Sequence, residues 1–358
     1  MVKQWQLLAL EFDQFGWDVR TDEEIAKSIV EESPLWLRIS NCFERHLSLL
    51  RHLPPGQLIL WKLEHWGNST TFDRVPVSPD TNPQSYTKEL LSLGHRIYPY
   101  TFTERNRDLL HHDIPQLCDL DFGIVPLAQK APVEGVSRTT LRNRLNLDSA
   151  DTLLGAGGML HPTKGIDEIA VWFLRNVQDP RTHLLCCVIP FEDGVTEDQI
   201  RRRWEQTAGV ESSHRLHIHI GAYRQWEWMC SFYQAVDVML VNSVSDSWGR
   251  MLSEAVGFGV PTLTRRAECA TNDIVPDLVL VNDFANLSYG EFCALVDDAR
   301  DRAPRLARFV GKHYAGPVVA EAFLEMLRAR TPSELWAEFD RLSRQPRSRR
   351  LVGEMIEH

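Results

Sequence analysis

The stretch from Asp246 to Pro261, DSWGRMLSEAVGFGVP, decides the fold of this chain. The apolar run before it, VDVMLVNS (236–243), has the composition of a buried parallel strand. Residues 262–264, which include two β-branched threonines, follow the stretch. Apolar residues at helical spacing predict a short helix over Arg250–Gly257, which two glycines and Pro261 bring to an end. This order of strand, tight turn, helix and strand indicates an open α/β sheet.

Two carboxylates in this stretch predict a ligand site, with Asp246 in the turn and Glu254 in the helix. In an open α/β sheet, ligands bind at the loops that follow the carboxyl ends of the strands. Gly249 lets the backbone approach a ligand, and the amides that begin the helix can bind phosphate. Ionised carboxylates accept several hydrogen bonds, which suits sugar hydroxyls. The residues therefore favour a phosphorylated, polyhydroxylated ligand, and an ordinary β–α corner with solvated acids is the alternative.

The same stretch resembles the E-x7-E motif of the retaining GT-B glycosyltransferases of the family 4 type, roughly E-G-F-G-x4-E-A-x-A-x-G-x-P-V. Asp246 stands where the first Glu is usual, and Trp248 where an aromatic residue is usual. Upstream, GAGGMLHPTKGID (155–167) resembles the family's G-R-L-x3-K-G loop, and residues 217–243 resemble the strand, helix and strand that lead into the motif. The matching positions in the motif are Gly249, Glu254, Ala255, Gly259 and Pro261.

The resemblance implies a GT-B fold, an α/β architecture of two doubly wound, Rossmann-like domains that face each other across a cleft. It implies an acceptor-side domain over residues 1–133 and a nucleotide-sugar-binding domain over 134–315. Residues 316–358 are expected to form C-terminal helices that cross back to the first domain, with a frayed basic tail. The implied activity is that of a retaining, metal-independent hexosyltransferase, which uses a UDP- or GDP-linked sugar as co-substrate and no cofactor.

The resemblance also implies roles for individual residues. Glu254 holds the ribose of the nucleotide, and Asp246 holds the hydroxyls of the donor sugar. Lys164 and the amide turn at Gly249 neutralise the diphosphate, and Tyr223 lies where the family packs the nucleobase. The expected catalytic residues are Asp246, Lys164, Glu254 and His65. The expected donor-binding residues are Gly157, Gly158, Lys164, Tyr223, Trp248, Gly249, Arg250, Met251 and Glu254.

Departures from the family pattern leave other functions open. Met159 stands where the family has a second cation of the phosphate clamp, and Arg250 is the candidate substitute. The first loop, residues 11–19, contains a single glycine where the family's loop is rich in glycine. His65, at the end of a strand in the first domain, has a packed surface histidine as its alternative interpretation. A degenerate sugar-nucleotide-binding protein, and a nucleotide-sugar epimerase or hydrolase on the same fold, are therefore alternative functions.

Composition limits the partners of this 358-residue chain. A net charge of −10 and a pI near 5.7 argue against a nucleic-acid-binding protein. The sequence has no signal peptide and no apolar run approaching the roughly 18 residues of a membrane span, so we expect no transmembrane segment. Seven scattered cysteines without a C-x-x-C pair favour reduced thiols and a cytoplasmic location.

Further predictions concern metals and secondary structure. His214, His217 and His219 have no acidic or cysteine partner nearby in the sequence, so structural roles are favoured over a metal site. Residues 35–53 are predicted to form one polar helix, and Thr103 to open a helix that runs through residue 110. The glycines at 155–158 are predicted to form a loop after a strand over 152–154. Residues 271–281 resemble the strand that follows the site.

Overall fold

Two compact units make up the chain, one of residues 1–128 with 316–358 and the other of residues 129–315. The computed structural model describes residues 9–11, 27, 36–40, 44–64, 83–133, 137–190, 194–211, 213–221, 225–244, 246–266, 271–330 and 333. Each unit is built on one parallel β-sheet. The predicted α/β class is therefore confirmed.

The first unit contains a five-stranded parallel sheet with the order β1-β2-β3-β4-β5. Its strands are β1 (Ala9–Glu11), β2 (Trp36–Ser40), β3 (Leu58–Lys62), β4 (Arg96–Thr101) and β5 (Gly123–Ile124). The helices are α1 (Glu44–Arg51), α2 (Pro83–Ser92) and α3 (Glu104–Asp113), followed by a 3-10 turn over Pro115–Leu117. The apolar sequence of β3 lies in the middle of the sheet with Ile59 and Trp61 fully buried, as expected for a strand covered on both faces.

The predicted single helix over residues 35–53 is wrong. The first part of this segment forms β2, and among its described residues the helix covers Glu44–Arg51. Leu37 and Ile39 are fully buried, and they alternate along the chain, which is the period of a strand. The prediction for α3 is confirmed, since the Thr103 side chain caps that helix by accepting a hydrogen bond from the Asn106 amide at 3.1 Å.

The second unit contains a six-stranded parallel sheet with the order β11-β10-β9-β6-β7-β8. Its strands are β6 (Thr152–Met159), β7 (Thr182–Ile189), β8 (Leu216–Ile220), β9 (Val238–Val241), β10 (Thr262–Arg265) and β11 (Val279–Val281). The chain starts in the middle with β6, proceeds outward to β8, and returns to lay β9 on the other side of β6. The sheet is therefore doubly wound, with its switch point between β6 and β9, where ligands bind in open α/β sheets.

Helices precede, connect and follow these parallel strands in the described part of the second unit. They are α4 (Arg138–Arg144), α5 (Ile166–Asn176), α6 (Glu197–Ala208), α7 (Trp226–Ala235), α8 (Arg250–Gly257), α9 (Thr271–Ile274) and α10 (Tyr289–His313). The predicted bounds of α8 are confirmed residue for residue. The segment 271–281 is only partly a strand, because it begins with the short helix α9 and reaches β11 at Val279.

The last helix, α11 (Gly316–Arg330), belongs to the first unit although it follows the second in the chain. Its buried side chains Val319, Met326 and Leu327 pack in one apolar cluster with Leu58, Leu60, Tyr100 and Val125. Arg330, at its end, forms an ion pair with Asp121 at 2.8 Å. None of the helices in the described ranges has the combination of length and apolar character that crossing a membrane requires.

Candidate functional site

The candidate site lies at the carboxyl ends of β6 and β9, the two neighbouring strands of the switch point. The turn after β6 carries Lys164, and the segment after β9 carries Asp246. Glu254 lies in the second turn of α8, which begins immediately after that segment. Strand order thus brings Lys164 against Asp246, and Glu254 lies in the helix that follows Asp246 in the chain.

The turn that carries Lys164 is joined to the segment after β9 by contacts from three successive residues. A backbone amide, a side-chain amide and a carboxylate of that segment each contact one of the three. The contacts are Val244 N to Thr163 O at 2.9 Å, Asn242 Nδ2 to Gly165 O at 3.0 Å, and Lys164 Nζ to Asp246 Oδ2 at 2.6 Å. These bonds hold the backbone of the Lys164 turn against the segment after β9 that leads to Asp246.

Lys164 and Asp246 form an ion pair across 82 positions of sequence. The Lys164 side chain is 11% exposed and the Asp246 side chain 20% exposed, so water screens the pair only in part. The ammonium donates a charge-assisted hydrogen bond to the carboxylate, which is the stronger class of hydrogen bond. This arrangement places a cation and a carboxylate next to each other at the carboxyl ends of β6 and β9.

Asn242 supports the Lys164 turn, and neither it nor its partners were predicted as site residues. Its side chain is buried and donates both to the Gly165 carbonyl and to Glu168 Oε2 at 2.9 Å, while Arg265 pairs with the same carboxylate oxygen at 3.0 Å. Gly165 has a left-handed backbone with φ of 60°, and a Cβ there would overlap the Asn242 amide. The signal that could have revealed this contact is a polar residue directly after a buried strand.

The turn before α8 is shaped by Trp248 and Gly249. Gly249 precedes the helix with a left-handed φ of 69°, and within the described residues no side chain caps the helix. The Trp248 ring is buried and packs edge-on against Tyr314, with 5.0 Å between the ring centroids. Trp248 therefore acts on the site by holding the turn, and the exposed Arg250 starts the helix.

Glu254 is a buried carboxylate with a specific partner. It is 5% exposed, and the Tyr233 hydroxyl of α7 donates a hydrogen bond to its Oε2 at 2.6 Å. Burial raises the pKa of Glu254 above its ordinary value, and the Tyr233 hydrogen bond and the charge of Arg250 partly oppose that rise. A carboxylate buried at this cost is typical of functional sites. Tyr233 is a second residue of the site that sequence reasoning missed.

The glycines predicted as a phosphate loop lie inside β6 instead. Gly155 to Gly158 pair in register with β7, and the chain leaves the sheet only after Met159. A Cβ on Gly157 would come within 2.7 Å of the Cys187 carbonyl and of the Met251 side chain, so this glycine is required by packing. Gly158, with a φ of 133°, lies beside the Lys164 side chain and leaves space there.

Other predicted residues lie away from these contacts. His65 and Tyr223 fall outside the described residues. His183 and His217 face each other, with 3.2 Å between their ring nitrogens, and burial lowers the pKa of His217 to about 4. The His219 ring stacks on Trp228 with 4.3 Å between centroids. In the part of the chain that the structure describes, no group of three potential ligands is arranged to hold a metal ion.

No protein-family model matches the sequence. No curated protein matches it significantly.

Three solved structures resemble the chain over most of its length. HepE of Anabaena, solved with UDP-glucose, has a TM-score of 0.61 at 12% identity, over 86% of this chain and 82% of that one. Sucrose-phosphate synthase of Thermosynechococcus elongatus has a TM-score of 0.60 at 16% identity, over 88% and 77%. The alpha,alpha-trehalose 6-phosphate synthase of Burkholderia multivorans has a TM-score of 0.56 at 15% identity, over 86% and 75%. The predicted GT-B fold, with its two Rossmann-like sheets, is confirmed.

Proposed function

We propose that this protein is a retaining glycosyltransferase of the family 4 type, which moves a sugar from a nucleotide-sugar donor to an acceptor. The observation that carries the proposal is the contact of Lys164 with Asp246 at the switch point of the second sheet, with the buried Glu254 in the helix that follows. A similar structure was solved with UDP-glucose, which supports a UDP-linked donor.

In the proposed reaction, each of the three residues binds one part of the donor. The buried Glu254 accepts hydrogen bonds from the ribose hydroxyls. Burial and the hydrogen bond from Tyr233 fix the position of its carboxylate before the donor binds. The Asp246 carboxylate accepts hydrogen bonds from the hydroxyls of the sugar. Lys164 and the backbone amides at the start of α8 receive the diphosphate.

Catalysis in this scheme is electrostatic. When the bond between the sugar and the nucleotide breaks, negative charge develops on the leaving diphosphate, and a cation already held beside it lowers the barrier. The acceptor attacks on the face from which the nucleotide leaves, so the configuration of the sugar is retained. Because Lys164 and backbone N–H groups supply the positive charge, we propose that the reaction proceeds without a metal ion.

A second candidate is a protein that binds sugar nucleotides without transferring the sugar. It is favoured by Met159, which stands where the resembling family has a cation, and by the ion pair that already neutralises Lys164. Both features reduce the positive charge available to a leaving group. The two candidates differ in whether a bound donor is ever cleaved.

The experiment that tests the proposal has two stages. Thermal shift with UDP, GDP, UDP-glucose and GDP-glucose identifies a nucleotide that raises the melting temperature, since a ligand stabilises the folded state by mass action. Release of free nucleoside diphosphate from the matching sugar nucleotide is then followed, with EDTA present. Binding with cleavage supports the transferase, and binding without cleavage across a panel of sugar acceptors supports the second candidate. An unchanged melting temperature with every nucleotide contradicts both.

A further inference from the structure

We infer that Asp246 is the resident counter-ion of Lys164, and that a donor diphosphate exchanges with it, taking Lys164 and freeing the Asp246 carboxylate for the sugar. The inference rests on the proposed function and adds a positioning role for Asp246 before the donor binds. It goes beyond the sugar contact proposed above, because it makes the diphosphate and the sugar dependent on one another.

The ion pair of Lys164 and Asp246 is a partly buried contact between two supported segments and differs from an exposed surface ion pair. Its two backbones are held by the bonds from Val244 to Thr163 and from Asn242 to Gly165, on either side of the lysine. The side chains are only 11% and 20% exposed, which separates this pair from the solvent-exposed pairs that contribute little. Because these bonds hold the Lys164 turn against the segment after β9, we place the exchange in the two side chains.

It is energetically unfavourable for a diphosphate and the Asp246 carboxylate to bind Lys164 at the same time. The ammonium has three donors, but two anions side by side in a partly buried site repel each other. The diphosphate therefore has to displace the carboxylate to gain the full interaction. A carboxylate released in this way needs new donors, and the hydroxyls of the donor sugar are the groups that can supply them.

This exchange has a consequence that a purely structural role for Asp246 would not produce. Replacing Asp246 by Asn keeps the shape and removes the charge, so a diphosphate no longer competes with the Asp246 carboxylate for Lys164. A nucleoside diphosphate without a sugar should then bind about ten-fold more tightly, the effect of one charge-assisted hydrogen bond. The complete sugar nucleotide should gain less, because the amide is a poorer acceptor for the sugar hydroxyls. The preference for UDP-glucose over UDP should therefore fall.

The experiment is isothermal titration of UDP and UDP-glucose into the parent and four variants. These are Asp246→Asn, Lys164→Met, the double variant, and Asp298→Asn. The last changes the net charge equally on α10, where Asp298 pairs with Arg302 at 2.6 Å. The inference requires that Asp246→Asn tighten UDP binding and lower the preference for UDP-glucose. It also requires that the tightening disappear in the Lys164→Met background and be absent in Asp298→Asn.

The results separate this inference from the proposed function. If Lys164→Met weakens UDP binding while Asp246→Asn leaves it unchanged or weakens it, the counter-ion role is overturned and the phosphate assignment of Lys164 stands. If Lys164→Met binds UDP as tightly as the parent, both the counter-ion role and the phosphate assignment fail. Equal tightening by Asp298→Asn would show that net charge alone is responsible and would also overturn the inference.

Discussion

Lys164 is the single residue on which the proposed diphosphate contact depends. Lys164→Ala should weaken binding of a nucleoside diphosphate by about 1–3 kcal/mol, because it removes a charge-assisted contact. It also leaves the Asp246 carboxylate without this partner beside the ligand. Titration of UDP and GDP into the variant measures the loss. The matched control is Lys312→Ala, an exposed lysine in the last turn of α10. Equal affinity in the two variants would contradict the assignment.

The raised pKa of Glu254 predicts how the free energy of unfolding depends on pH. A carboxyl group whose pKa is higher in the folded than in the unfolded protein contributes its full stabilisation at a pH below its ordinary pKa, near 4.5. That contribution is lost as the pH rises through the pKa of the folded state. Glu254→Gln keeps an acceptor for Tyr233 and removes the buried charge. The variant should therefore be more stable than the parent at pH 7, with a difference that shrinks as the pH falls towards 4.5.

Denaturant titrations of parent and Glu254→Gln between pH 4.5 and 8 measure this difference. The control is Glu211→Gln, an exposed carboxylate of the same unit, which should show no such trend. Donor binding should move the other way, because the neutral amide is a weaker acceptor for ribose hydroxyls. A glutamine variant less stable than the parent at every pH would show that the charged form of Glu254 supports the fold.

Among the secondary-structure elements, the connection between the Lys164 turn and the segment after β9 has the clearest consequences. Asn242 donates hydrogen bonds from one buried amide to Gly165 and Glu168, so Asn242→Ala leaves the Gly165 carbonyl without that donor. The Gly165 carbonyl keeps the Ile169 amide as a donor, so the variant loses two hydrogen bonds, one of them to the Glu168 carboxylate. We expect these losses to lower the free energy of unfolding by about 1–3 kcal/mol. Weaker UDP binding should accompany it, because the turn no longer holds Lys164 in position.

The control for this prediction is Asn176→Ala, at the end of α5. Asn176 also donates to a backbone carbonyl, that of Trp172 at 3.0 Å, but it is only half-buried and lies on a different element. Denaturant unfolding and UDP titration are compared for the two variants. If they lose equal stability and both retain the parent affinity, the Lys164 turn does not depend on Asn242.

For the molecule as a whole, the path of the chain predicts that α11 stabilises the first unit and not the second. Met326 is buried among Leu60, Tyr100 and Val125, and the Sδ of Met326 lies so close to Gly123 that a Cβ there would overlap it. Met326→Ala should destabilise the first unit by about 2–4 kcal/mol through lost apolar contact and a residual cavity. The second unit, residues 129–315, should keep its stability.

Hydrogen exchange followed by mass spectrometry resolves this prediction, because peptides report each unit separately. Protection should fall in β3 and β4 of the Met326→Ala variant and stay unchanged in β6 and β9. Val318→Ala, a change at an exposed position of the same helix, is the control. Loss of protection in β6 and β9 to the same degree would mean that the two units unfold as one.

The sequence by itself determined the features that depend on neighbouring residues. The bounds of α8 follow from apolar spacing and the glycines and proline after it, and the cap of α3 follows from one threonine. Local patterns gave the wrong prediction where the same residue pattern is compatible with two kinds of secondary structure. Residues 36–40 became a strand because Leu37 and Ile39 bury one face of a sheet, and the glycines at 155–158 stayed in β6 because the neighbouring strand β7 pairs with them.

Only the tertiary structure decided which residues meet in the site. The bond from Tyr233 to Glu254, the support of Gly165 by Asn242, and the ion pair of Lys164 with Asp246 join positions from 21 to 82 residues apart. The ion pair and the bond from Asn242 to Gly165 depend on β9 lying beside β6, which is a property of strand order and not of any short segment. The bond from Tyr233 to Glu254 joins the helices that precede and follow β9 in the chain. The family resemblance of the sequence could therefore single out one lysine and two carboxylates, whereas the partner of each was decided by the tertiary structure.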